Sequence, residues 1–159
     1  WSRSQGASGK PGYAWDYQVD LVGYKYYMID IMAAICLEQM KKLPEHLEFR
    51  RHVQERYKNE LHPIIQRPPY SDTVQYYCAK VPKEHRDKLI DYLGHKKIHT
   101  SVHFKPLHLY TPLLQNRDYP VADKEWVKLI SLPVHNRMEE SDIDYVIYWV
   151  NKYFEENIG

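Results

Sequence analysis

The chain has 159 residues, 22 basic and 21 acidic, with a formal charge of +1, and is long enough for one domain with a real core. So even a balance argues against nucleic acid as the main partner, and no apolar run reaches the roughly 20 residues that cross a bilayer. Cys36 and Cys78 stand in apolar surroundings and are expected to be free, buried thiols of a cytoplasmic protein.

Residues 1 to 12 are rich in Ser, Gly, Lys and Pro and read as a loop. The opening Trp1-Ser2-Arg3-Ser4 leads into turn formers, not the apolar core of a signal peptide. In Tyr13 to Val19, aromatics recur at every second residue, the period of an extended segment. Gly23 to Leu43 is then the longest apolar stretch. Between Met28 and Met40 only Asp30, Glu38 and Gln39 are polar, and no Pro or Gly interrupts. Good helix formers fill it, so a helix over 28–43 is predicted. It is apolar nearly all round, where a surface helix keeps a wet face. Such a rod needs cover on every side, and the remaining residues are too few and too polar to supply it. The rod is therefore expected to be buried against something outside these residues. With the missing initiator Met, that makes the chain read as a C-terminal piece of a longer protein.

Pro44 is expected to end this helix and start a second, about 45 to 61. There Leu47, Val53, Tyr57 and Leu61 make one stripe beneath a charged face. A proline-rich loop follows from His62. Thr73 to Val81 is β-branched and aromatic, a strand stopped by Pro82. Lys83 to Leu93 is a helix with Gly94 as its cap. Ile98 to Phe104 alternates, with Ile98, Thr100, Val102 and Phe104 on one face, and is predicted as a strand. Val121 to Leu129 is a helix carrying Trp126, Ile130 to Val134 a strand. The last helix, about 140 to 156, has Ile143, Val146, Ile147, Val150 and Phe154 at helical spacing behind an acidic first turn. The class is α/β: a short sheet with flanking helices over 44–159, preceded by a segment, 1–43, that ends in the apolar rod.

Several blocks resemble one family, in order from about Trp15 to the C-terminus. Gly23-Tyr24-Lys25-Tyr26, Met28, Asp30-Ile31, Ala33-Ala34-Ile35 and Gln39, then Arg50-Arg51 and Tyr57, are similar to the segment just past the large domain of DegT/DnrJ/StrS-type sugar aminotransferases. Val102-His103-Phe104-Lys105-Pro106-Leu107-His108 resembles a small-domain motif of the same enzymes. Ile130-Ser131-Leu132-Pro133-Val134-His135 and Asp144-Tyr145-Val146-Ile147 resemble their ending. Two positions depart: Lys97 stands where the family usually has Gly, and Glu139 where it usually caps the last helix with Thr.

The resemblance implies the small C-terminal domain of a fold type I enzyme dependent on pyridoxal 5'-phosphate (PLP), preceded by a buried interdomain helix. It implies a homodimer that moves an amino group from glutamate to a nucleotide-linked keto-deoxysugar, most like the perosamine synthases. Lys25 would reach the cofactor phosphate of the neighbouring subunit, where a compact cation suits a phosphate dianion. His103, Lys105 and His108 would line the sugar-nucleotide site, where imidazole can donate or accept. The lysine that carries the cofactor lies upstream of Gly23 in the family, so none is nominated here, and these residues alone are expected not to catalyse transamination. Two alternatives stay open: a non-catalytic dimerisation or regulatory module, and part of a PLP-dependent sugar dehydratase relative. A metal site is not expected, because His99 and His103 on one strand would stand roughly 13 Å apart.

Overall fold

The computed structural model describes residues 28–70, 72, 74–110 and 118–158, with backbone alone at 2–3 and 19–21. The extended segment expected over 13–19 lies almost wholly outside the described residues, as does Lys25. At the N-terminal end, β1 (Ser2–Arg3) pairs antiparallel with β2 (Val19–Leu21), so the opening residues are not all loop.

The apolar run is helical, but Pro44 does not divide it. One helix, α1, runs from Asp30 to Glu60, 31 residues with Pro44 inside, about 46 Å of rod. Proline costs the bond that residue 44 would have given the Met40 carbonyl. Positions 40 to 45 are all exposed, so water can serve that carbonyl, and the flanking helix formers carry the chain through. The two halves of the rod differ sharply in burial. From Met28 to Glu45 every residue but Ala33 is exposed, with Ile31 70%, Ile35 52%, Leu37 63% and Met40 62% accessible. The burial expected there is not supplied by the chain itself: no described element packs on that face. Cys36 shares this exposure and Cys78 is half-buried; both are free thiols, and neither is fully buried as expected.

The second half of α1 enters the core. Val53, Tyr57 and Leu61 are buried, and the Tyr57 hydroxyl donates to the Pro133 carbonyl at 2.9 Å. Where α1 ends, its last carbonyls are taken up by side chains. Arg67 donates to Leu61 (2.9 Å) and Lys58, and Asn151 donates to Glu60 (2.8 Å). A cation at a helix C-terminus also meets the favourable end of its dipole.

Strand β3 (Tyr77–Lys80) pairs antiparallel with β4 (Leu129–Leu132), placing Cys78 opposite Ser131. Single bridges extend this ribbon on both sides, Gln66 to Lys80 and Ser101 to Ser131. The predicted Ile98–Phe104 strand thus shrinks to one bridge. Ile98 and Val102 are buried as the alternation requires, but Phe104 is 62% exposed. The segment departs from the sheet after Ser101, so Phe104 never reaches the inner face.

Helix α2 (Lys83–His95) and helix α4 (Glu140–Ile158) pack together behind this ribbon. Leu89, Ile90 and Leu93 of the one meet the apolar stripe of the other, and all five predicted α4 positions are buried. A short helix, α3 (Pro120–Trp126), opens with proline in its first turn and precedes β4. Gly94 is not the cap of α2 but part of its last turn. The left-handed position falls on Lys97, φ 60°. The Ile98 N–H bonds the Leu93 carbonyl (2.9 Å) and the Lys97 N–H the Gly94 carbonyl (3.0 Å), the pattern of a Schellman cap. Leu93 and Ile98 are both buried beside it. At the head of α4 the Glu139 N–H is bound by the Asp142 carboxylate at 2.9 Å, the reach-back half of a capping box.

Candidate functional site

The register of β3 and β4 sets Cys78 and Ser131 side by side, and both reach His103. Ser131 Oγ lies 2.8 Å from Nδ1 of the imidazole. The Cys78 thiol donates to the His103 carbonyl at 3.6 Å. Tyr76, just ahead of β3, lies flat on the ring, with centroids 3.8 Å apart and planes 20° apart. Phe104 meets both rings edge-on, at 4.6 Å from His103 and 6.3 Å from Tyr76. Partial burial removes water from the imidazole and holds its pKa below the ordinary 6.5. At neutral pH the ring is then uncharged, with one nitrogen donating and the other accepting. Nδ1 belongs to Ser131, which leaves Nε2 for a ligand.

His103 lines a cleft of about 730 Å³ together with Arg50, Gln75, Tyr76, His99, Ser101 and Ser131. Arg50 comes from α1, at the point where the rod meets the domain. Its Nε donates to Asn136 Oδ1 (3.0 Å) and one terminal nitrogen to the Val74 carbonyl (3.2 Å). The cleft therefore offers an anchored guanidinium, the hydroxyls of Thr100, Ser101 and Ser131, the imidazoles of His99 and His103, and an aromatic wall. That suits a polar ligand rich in hydroxyl groups.

The other two motif residues are held elsewhere. His108 sits on a 3-10 turn (Leu107–Leu109), with Nε2 2.8 Å from Asp123 Oδ1 of α3 and its ring over Tyr119 at 4.7 Å. Lys105 Nζ lies 5.2 Å from the centre of the Tyr110 ring. Neither lines the cleft that contains His103. Tyr76, Arg50 and Ser131 enter it without having been singled out as site residues. Arg50 and Ser131 stood within matched motifs, but nothing in the spacing tied them to His103. Among the described residues no group of three or more His, Cys, Asp or Glu is placed to hold a metal ion. No described helix is long and apolar enough to cross a membrane.

Charge pairs fix the elements around the cleft. Arg56 of α1 binds Glu140 (2.7 Å) and Asp144 (2.6 Å) of α4 and also Glu60, and His52 lies 2.7 Å from Glu140. The hydrogen bond from Arg56 lowers the Glu60 pKa. Glu125 of α3 is gripped by Lys128 and Lys80, each at 2.8 Å. Those two hydrogen bonds draw its pKa down to about 2.

The chain is similar to known proteins along most of its length. The spore coat polysaccharide biosynthesis protein SpsC of Bacillus subtilis is 30% identical, over 84% of this chain and 39% of its own. The GDP-perosamine synthase of Escherichia coli O157:H7 is 26% identical, over 88% of this chain and 40% of its own. Among solved structures, the PLP form of Spr1654 from Streptococcus pneumoniae superposes with a TM-score of 0.74 at 28% identity, over 91% of this chain and 40% of its own. The chain thus spans about two fifths of the length of these relatives. Residues 3–151 match the DegT/DnrJ/EryC1/StrS aminotransferase family, and the chain belongs to that family.

Proposed function

We propose that these residues form the C-terminal part of a PLP-dependent sugar aminotransferase. The full-length protein would transfer an amino group from glutamate to a nucleotide-linked keto-deoxysugar, in the manner of a perosamine synthase. The carrying observation is the match over 3–151 to a family of sugar aminotransferases. An exposed apolar rod whose inner half brings Arg50 to a cleft lined by Ser, Thr and His side chains supports it. The rod's uncovered half is where the missing part of the protein would lie. Arg50, at its inner end, would place the cleft against that larger body.

Bound PLP would supply an electron sink for amino transfer. Of this chain's residues, Lys25 would hold the cofactor phosphate of the neighbouring subunit, where a compact cation suits a phosphate dianion. Lys25 lies just ahead of α1, outside the described residues. His103 would accept or donate to sugar hydroxyls. Lys105 and His108, tied to Tyr110 and Asp123, would contribute from the neighbouring loop. No lysine of this chain is assigned the covalent anchoring of the cofactor.

The test is made on the full-length polypeptide that carries these residues. Incubated with PLP, glutamate and a nucleotide-linked 4-keto-6-deoxysugar, it should yield the amino sugar, read by mass spectrometry. Lys25→Ala should weaken PLP retention on gel filtration. Turnover of glutamate with no aminated sugar would remove the substrate assignment, and unchanged cofactor retention would remove the role of Lys25. The exposed face of α1 favours a second reading, in which these residues act as a dimerisation module. In that case the chain would pair tightly in solution and the full-length protein would lack transaminase activity.

A further inference from the structure

The geometry around His103 points to a residue that no sequence motif marks. We propose that Tyr76 is a positioning residue, whose ring clamps the His103 imidazole so that Nε2 faces a sugar hydroxyl in the Arg50–Ser131 cleft. The proposal rests on the assignment of this cleft to the sugar.

An imidazole on an irregular segment has two torsions to fix. Past Ser101, the chain has left the sheet, so no ladder of backbone hydrogen bonds holds His103. Four contacts replace it. The Cys78 thiol fixes the carbonyl, Ser131 fixes Nδ1, Tyr76 covers one ring face, and Phe104 meets the ring edge-on. Ser131 alone leaves the ring free to tilt about the Nδ1 contact. A parallel ring at 3.8 Å removes that freedom, because tilting either ring breaks the stack. Tyr76 is itself steadied: the Gln75 amide donates to its hydroxyl at 3.1 Å, and Phe104 abuts its edge.

Tyr76 lines the cleft and is 44% exposed, and Phe104 beside it is 62% exposed, so neither ring belongs to the core. An apolar wall beside a hydroxyl-binding nitrogen is complementary to a pyranose, which presents C–H groups on one face and hydroxyls at its rim. The same stack keeps water off the imidazole, in accord with its lowered pKa.

Steady-state kinetics of the full-length enzyme, with the nucleotide-linked keto sugar and glutamate varied separately, test this. Tyr76→Ala and Tyr76→Leu should raise the KM for the sugar about tenfold and leave the KM for glutamate unchanged, a loss equivalent to about 1.4 kcal/mol. Tyr76→Phe keeps the stack and should stay within about twofold of the parent, by the same scale. In NMR spectra of histidine-labelled protein, the ring-current shift of the His103 Hε1 signal should vanish in Tyr76→Ala and Tyr76→Leu and persist in Tyr76→Phe. His103→Gln separates the two levels of the argument. If it leaves the sugar KM unchanged, the cleft is not the sugar site. If it raises that KM while Tyr76→Ala and Tyr76→Leu do not, the clamp is wrong and the site stands. Equal damage from Tyr76→Phe and Tyr76→Ala would assign the effect to the hydroxyl and overturn the stacking role.

Discussion

The two halves of α1 are one continuous helix with opposite surroundings. From Asp30 to Glu45 large apolar side chains point into solvent, while from Val53 onward the helix and its C-cap seat Val53, Tyr57 and Leu61 in a closed core. The backbone does not register the change; even Pro44 passes within the helix. A helix can thus be built by local propensity in one half and by packing in the other. Only the second half stabilises this chain by burial. The contrast also separates the residues that hold the domain together from those kept for another surface, since apolar groups in such number are costly to leave wet.

Truncation of core and rod should break that comparison most clearly. Leu93→Ala, at a fully buried site, should cost about 2–5 kcal/mol in urea denaturation of the chain. Ile35→Ala, 52% exposed, should stay within about 0.5 kcal/mol. The pair Ile31→Glu and Ile35→Glu should instead lower hydrophobic dye binding. Equal costs at Leu93 and Ile35 would mean that the rod is covered after all.

The joint between the halves gives a smaller effect. Arg56→Ala releases Asp144 from α1 and leaves Glu140 with His52 alone, and should destabilise by about 1 kcal/mol, a loss that shrinks with added salt. A salt-independent loss would assign it to packing of the arginine stem.

The α2 turn should gain stability when its glycine is moved. Lys97→Gly relieves a left-handed residue and should stabilise by about 1 kcal/mol. A Cβ at Gly94 would meet nothing within 4 Å, so Gly94→Ala should add about as much. Thermal unfolding of the single and double variants checks both, and losses would show that the cap forms differently.

Acid should reveal the Glu125 clamp, the mildest effect. Its folded pKa, about 2, lies below the usual 4.5. The folded state therefore binds fewer protons at that site. Its contribution is complete above about pH 4.5 and fades as pH falls towards 2. Glu125→Gln should flatten that part of the melting curve against pH; an unchanged slope would place the acid sensitivity elsewhere.

Much of this is legible in the sequence. Helical spacing marked α4 to within its burial pattern, and the Val53, Tyr57 and Leu61 stripe lies inward. The apolar run announced a helix without enough chain to cover it. Local rules misled where tertiary contacts outweighed them. Pro44 reads as a break, yet a long helix stable on both sides runs across it. Gly94 reads as a cap, yet the Leu93–Ile98 contact draws the turn on to Lys97. Ile98–Phe104 alternates like a strand but finds one bridge, because partners across a sheet come from distant sequence.

The cleft divides in the same way. His103 stood out within a motif, whereas Tyr76 and Ser131 are separated from it by 27 and 28 positions. Composition, periodicity and motif order determined the helices, the inward faces and the family likeness, because these depend on neighbours along the chain. Which side chains meet around the imidazole, and which half of the rod stays wet, only the tertiary structure decided. Strand register and helix packing join residues across distances that no local pattern encodes.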